Sequence, residues 1–124
     1  MKKLLLFTFF LVSATFTQAQ ITWSEDVAPV FYDRCTQCHN PDGVGPFSLI
    51  DYETAYDYRS LIESYVEFNL MPPWTADKEF QHYFGERILT DYARNTIIAW
   101  AYDGALEGDP DLAPPPPVYT GDQI

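Results

Sequence analysis

The sequence predicts an all-α fold, one small helical domain. Three observations carry that prediction. Apolar residues recur at helical spacing in three separate stretches, with capping residues at their ends. No run alternates with the two-residue period of a strand. A cysteine pair with an adjoining histidine, Cys35-Thr36-Gln37-Cys38-His39, directly follows the first helical stretch and offers covalent and coordinating groups to something held inside.

The chain of 124 residues opens with Lys2 and Lys3, an apolar run over residues 4–12, and then small and polar residues up to Ala19. That is the pattern of a secretory signal peptide, with Thr17 and Ala19 as the small pair before the cut. The apolar run is too short for the ~20 residues of a spanning helix. The expectation is therefore an exported, periplasmic protein with no transmembrane span in its mature chain. Removing the 19-residue leader leaves 105 of the 124 residues, enough for one domain over residues 20–110.

The first helix is expected to start at Ser24 as N-cap, with Glu25 and Asp26 in its first turn. Val27, Val30 and Phe31 form its inward stripe, and Pro29 makes its start irregular. It ends near Cys35. Residues 40–47 are a loop rich in glycine and proline. The second helix starts from Asp51 and runs to about residue 68, with Ala55, Tyr58, Ile62, Tyr65 and Val66 inward. Residues 75–89 read as irregular. The last helix is capped by Thr90, carries Ala93, Ile97, Trp100 and Ala101 inward, and closes at Gly104. Trp100 should anchor the core against the first helix. Beyond Pro110 four consecutive prolines, residues 114–117, cannot continue a helix. Residues 111–124 are accordingly expected to form a disordered proline-rich linker or tail outside the domain.

Two cysteines, two intervening residues and a following histidine make the attachment pattern for a c-type haem. Each thiol adds across one vinyl group, and the two-residue gap lets one turn present both sulfurs to the same edge of the macrocycle. The neutral imidazole of His39 is then placed as an axial iron ligand. One haem c per chain is expected. The chain has no other cysteine, and a zinc site would have to be completed by His82 and acidic residues. A redox dithiol should lie in a βαβ pattern, which is missing.

Further residues fit this chemistry. Pro46 follows Gly45 in the loop, and its carbonyl is the expected acceptor for the second ring nitrogen of His39. Met71 is the only methionine left once Met1 is removed with the leader. It stands before Pro72 and Pro73, so a stiff loop presents a thioether as sixth ligand opposite His39. His82 is the rival sixth ligand. Trp74 is expected to cover the haem edge or pin the loop. The formal charge of −11 becomes −13 without Lys2 and Lys3. Such acidity disfavours nucleic acid and suits a redox partner with a basic face.

Several stretches together resemble the single-haem, class I c-type cytochromes. They are Trp23-Ser24-Glu25-Asp26-Val27-Ala28-Pro29, the attachment motif, Gly45-Pro46-Phe47-Ser48-Leu49, Met71-Pro72-Pro73-Trp74, and the Ile97-Ile98-Ala99-Trp100 helix closing at Gly104. The resemblance spans residues 21–117. It is most similar to the subgroup with a Met-Pro-Pro-Trp ligand loop, found at the start of larger exported bacterial proteins. The resemblance implies a cytochrome c-like domain with Cys35 and Cys38 as covalent anchors and His39 and Met71 as axial ligands. It implies a monomeric one-electron carrier rather than an enzyme. It also leaves open a haem enzyme or ligand sensor with a free iron position, peroxidase-like in its chemistry. In relatives of this kind a further domain follows the proline-rich linker, so the chain is either a free carrier or a truncated haem module of a larger oxidoreductase.

Overall fold

The computed structural model describes residues 20–74, 76–77 and 79–120. The expected leader, residues 1–19, and the last residues of the expected tail, 121–124, lie outside the described residues. Among the described residues the chain is helical and has no strand. No described helix is long and apolar enough to cross a membrane.

A π-helical turn, Trp23–Val27, runs without a break into α1, Ala28–Arg34. Pro29 is the second residue of α1, and its missing N–H interrupts the ladder where the π-helical turn gives way to the α-helix. The irregular start follows from it. The cap is Thr22 and not Ser24. Thr22 Oγ1 accepts from the Glu25 amide at 3.4 Å, and the Thr22 amide donates to Asp26 Oδ2 at 2.7 Å. Ser24 is fully buried, and its hydroxyl has no hydrogen-bond partner. The helix starts earlier than expected because Trp23 must turn into the core. Its ring meets Phe31 edge-on at 5.4 Å and Trp100 at 6.0 Å.

The expected second helix is two helices, α2 (Tyr52–Asp57) and α3 (Arg59–Glu67), broken at Tyr58. Asp51 caps α2 as expected, accepting from the Thr54 amide at 2.8 Å. Of the expected inward stripe, Ala55, Ile62 and Val66 are buried, whereas Tyr58 and Tyr65 are about two-fifths exposed. Both tyrosines face other work: Tyr58 stacks on Phe47 with centroids 3.9 Å apart, and Tyr65 lines a cavity. The last helix, α4 (Asp91–Tyr102), is capped by Thr90. It ends just before Gly104, whose φ of +102° suits the left-handed turn after a helix.

α3 packs on α4, and α4 also packs on the π-helical turn. Trp100 and Ile97 of α4 and Phe31 and Val27 of the first helical stretch are all fully buried at that junction. Trp100 thus anchors the core as expected, and its indole N–H donates to the Leu106 carbonyl at 2.9 Å. The segment after α4 supplies carbonyls that the first helical stretch lacks at its N-terminus. The Trp23 and Ser24 amides donate to Leu106 and Glu107 at 2.8 and 2.9 Å. A short 3-10 turn, Pro110–Leu112, follows and packs on the π-helical turn. The expectation of a tail standing outside the domain needs correction for its described part. Tyr119 lies 2.6 Å, oxygen to oxygen, from the buried hydroxyl of Thr36.

Candidate haem site

The end of α1 runs into the turn that carries Cys35, Cys38 and His39 through ordinary backbone hydrogen bonding. The Cys35 and Thr36 amides both donate to the Phe31 carbonyl, at 2.8 and 3.0 Å. The Cys38 and His39 amides both donate to the Cys35 carbonyl, at 3.1 and 2.9 Å. Asn40 holds the outside of the turn. Its side-chain amide donates to the carbonyls of Thr36 (2.8 Å) and Gln37 (3.2 Å), and its Oδ1 accepts from the Asp42 amide.

The loop then folds back over His39. The Gly45 amide donates to the Cys38 carbonyl at 2.8 Å, and the Leu49 amide to the His39 carbonyl at 2.9 Å. Close approach explains the glycine. A Cβ on residue 45 would sit 2.7 Å from His39 Nδ1 and 2.9 Å from the Cys38 carbonyl oxygen. His39 Nδ1 lies 3.0 Å from the carbonyl of Phe47, so Phe47 and not Pro46 is the acceptor. A carbonyl only accepts, so Nδ1 carries the proton and Nε2 keeps its lone pair. The Phe47 ring also packs beside the imidazole, centroids 4.9 Å apart. Pro46 lines the neighbouring cavity instead. The register differs by one residue because the loop needs both Gly45 and Pro46 to pass the ring before a carbonyl comes into range.

Met71 reaches the site from a different local motif. α3 ends at Phe68, and Asn69 adopts a left-handed φ of 55°. The Asn69 amide donates to Val66 at 3.2 Å and the Leu70 amide to Tyr65 at 2.8 Å. That is the paired closure of a Schellman cap, with asparagine in the usual glycine position. The Met71 amide joins the same Tyr65 carbonyl at 3.1 Å, which fixes its backbone over the last turn of α3.

These pieces meet around one cavity of about 360 Å³. Cys35, Cys38, His39, Pro46 and Met71 all line it, with Phe31, Leu49, Leu61, Ile62 and Val66 among its apolar wall. Among the described residues no aspartate or glutamate lines it, and the charged groups that do are Arg34 and Arg87. Cys35 keeps some surface open toward the cavity, yet its sulfur is enclosed. Burial, with the nearby Asp33 carboxylate and Cys38, pushes the Cys35 thiol up to about 12. At neutral pH it is a thiol and not a thiolate, which makes it a poor attacking group for a redox dithiol. Among the described residues no three His, Cys, Asp or Glu side chains gather as a metal site.

Trp74 and His82 are not brought to that cavity. Trp74 lines a second one, of about 220 Å³, which shares Val66, Met71, Pro72, Arg87 and Leu89 with the first. Its indole N–H is buried and has no hydrogen-bond partner among the described residues. His82 is largely exposed and lies 2.8 Å from Glu86 Oε1. Arg87 was not singled out from the sequence. It touches Cys38 Sγ through Nη1 at 3.7 Å and lines both cavities, together with Arg94 in the second. Its signal was available: the chain has only four arginines and is strongly acidic.

A scan against protein-family models, and searches of the curated proteins and of the solved structures, find no match.

Proposed function

We propose that this chain is an exported c-type cytochrome, a one-electron carrier with one covalently bound haem. The observation that carries the reading is the convergence of Cys35, Cys38, His39 and Met71 on a single apolar cavity. The residues present fit the group chemically. The cavity is apolar and free of carboxylates, as a flat hydrophobic macrocycle requires. The tautomer of His39 leaves Nε2 free for iron. The Trp74 N–H, without a partner among the described residues, and Arg87 and Arg94, which line the adjoining cavity together with Asp91, would offer donors to the haem carboxylates.

Cys35 and Cys38 would hold the group covalently, and His39 and Met71 would ligate its iron. When bound, the haem supplies a centre that cycles between ferrous and ferric states. The protein's own part is to orient and shield. The Phe47 carbonyl fixes the imidazole plane, and the Schellman cap of α3 holds Met71 in place. Phe31, Leu49, Ile62 and Val66 exclude water from the cavity wall, which raises the potential by disfavouring the more charged ferric form.

The test is expression with a haem-attachment system, extraction with acidic acetone and intact-mass measurement. The expected mass is the chain without its leader plus one haem. A haem-free mass after maturation overturns the proposal. The acidic surface suits a partner with a basic face, so electron exchange with such a protein should slow as salt screens charges beyond ~8 Å.

A further inference from the structure

The proline-rich stretch after Pro110 ends on the attachment turn, and its end is well placed to control that turn. The stretch leaves from one end of the first helical segment. There Leu106 and Glu107 accept from the Trp23 and Ser24 amides, and Gly108 lies so close to Thr22 that a Cβ would come within 2.7 Å of it. It finishes at the other end, where Tyr119 meets Thr36. The two helical segments of five and seven residues measure about 18 Å at ~1.5 Å per residue. Beyond the 3-10 turn, residues 113–119 reach up to about 22 Å in an extended polyproline conformation at ~3.1 Å per residue. Ala113, with φ −68° and ψ 139°, already has that conformation. This stretch, with its four prolines, is thus long enough to span the helix without hydrogen bonds of its own.

The contact at its end has a fixed direction. Thr36 Oγ1 lies 3.0 Å from the Tyr32 carbonyl, and a carbonyl only accepts. Thr36 therefore spends its one proton on Tyr32. The Tyr119 hydroxyl must donate to Thr36 Oγ1, and the chain runs from Tyr119 through Thr36 to Tyr32. Thr36 is fully buried and lies between the two cysteines. Its carbonyl is simultaneously held by Asn40.

We propose that Tyr119 is a positioning residue for the haem-attachment turn, and that residues 113–119 are a strap delivering it there. The strap fixes the turn that carries Cys35, Cys38 and His39 and keeps water off the buried face of Thr36. This proposal rests on the haem reading for its effect on iron, but its structural part can be read without it.

The test compares the native chain with Tyr119→Phe, which removes only the hydroxyl, and with Thr36→Ser, which keeps it. Amide hydrogen exchange of Cys38 and His39 is measured against that of Ile97 and Trp100 in α4. Tyr119→Phe should speed exchange in the turn about fivefold, the size of one ordinary hydrogen bond, and leave α4 unchanged. Thr36→Ser should restore near-native rates. Thr36→Val should be at least as fast as Tyr119→Phe, and adding Tyr119→Phe to it should change nothing further. In the haem-loaded protein Tyr119→Phe should also lower the midpoint potential, because a looser turn admits water. Unchanged turn exchange overturns the proposal, as does equal acceleration in α4, which would mean general destabilisation. An unchanged potential overturns the effect on iron. The intact mass of the same sample shows separately whether haem is attached, so failure of the strap and failure of the haem reading are distinguishable.

Discussion

The turn bearing Cys35, Cys38 and His39 and the stretch from Met71 to α4 line the same cavity by different means. The turn is tied across the molecule. Its hydrogen bonds run back to Phe31 and Tyr32 and forward to Phe47, Leu49 and Tyr119. The other stretch is fixed at its start, by the α3 cap, and then holds mainly to itself. Phe80 donates to Asp77, Glu86 to Tyr83, and the Glu86 carboxylate reaches His82 and the Tyr83 amide. The difference assigns roles. If a haem fills the cavity as proposed, the preformed turn would receive it in register, whereas the second side would depend on one thioether and should respond most to substitution.

Met71→Ala is the strongest way to break that contrast. It removes the one thioether of the chain besides that of Met1, while the backbone bond to Tyr65 keeps the loop in place. In the haem-loaded protein the far-red sulfur-to-iron band of the ferric state should vanish. Carbon monoxide should bind the ferrous protein readily, and the potential should fall. Met71→His should keep six ligands and still lower the potential, because imidazole favours ferric iron more than a thioether does. A far-red band that survives Met71→Ala removes Met71 as a ligand.

Gly45→Ala attacks the preformed side. The new methyl group would overlap the His39 ring and the Cys38 carbonyl, both held by backbone bonds with little room to yield. Overpacking of this kind costs roughly 1–3 kcal/mol. The expected result is a lower unfolding midpoint and a disturbed His39 environment, checked by denaturant titration and by the iron spectrum. A native spectrum at native stability would mean the loop is softer than its hydrogen bonds indicate.

The same contrast decides how much could be read in advance. That Cys35, Cys38 and His39 would share one turn and face one cavity was legible from their close spacing. Thr90 and Gly104 bracket α4 with ordinary capping chemistry, and Trp100 reports its burial by falling on the apolar stripe. Asn69 could have been read as a left-handed cap and would have placed Met71 with more detail. The break at Tyr58 was illegible, because it answers to a stacking partner, Phe47, distant in sequence. The Phe47 carbonyl was missed for Pro46 because a loop's register depends on the backbone path around the ring. The strap was missed because four prolines exclude helix and interior strand but say nothing about docking. That depends on one hydroxyl meeting another 83 residues away.

The smallest expected effect belongs to His82→Ala, and it sharpens the comparison by leaving the iron alone. His82 is largely exposed, outside both cavities, and pairs with Glu86 at 2.8 Å. Hydrogen bonding to His82 and to the Tyr83 amide holds the Glu86 carboxyl below its usual range. A depressed carboxylate favours the folded loop above the ordinary glutamate pKa, and that advantage is lost as pH falls through the depressed value. Without His82 the Tyr83 amide and the weaker pull of the Arg34 charge remain, so the Glu86 pKa should rise part of the way toward the ordinary value in an NMR titration. Overall stability should hardly change, since exposed pairs contribute little. The haem spectrum, carbon monoxide affinity and potential should match the native protein. If instead His82→Ala opens the iron, the stretch between Met71 and α4 rearranges to deliver a histidine when the cavity is filled. The thioether would then not be the sixth ligand.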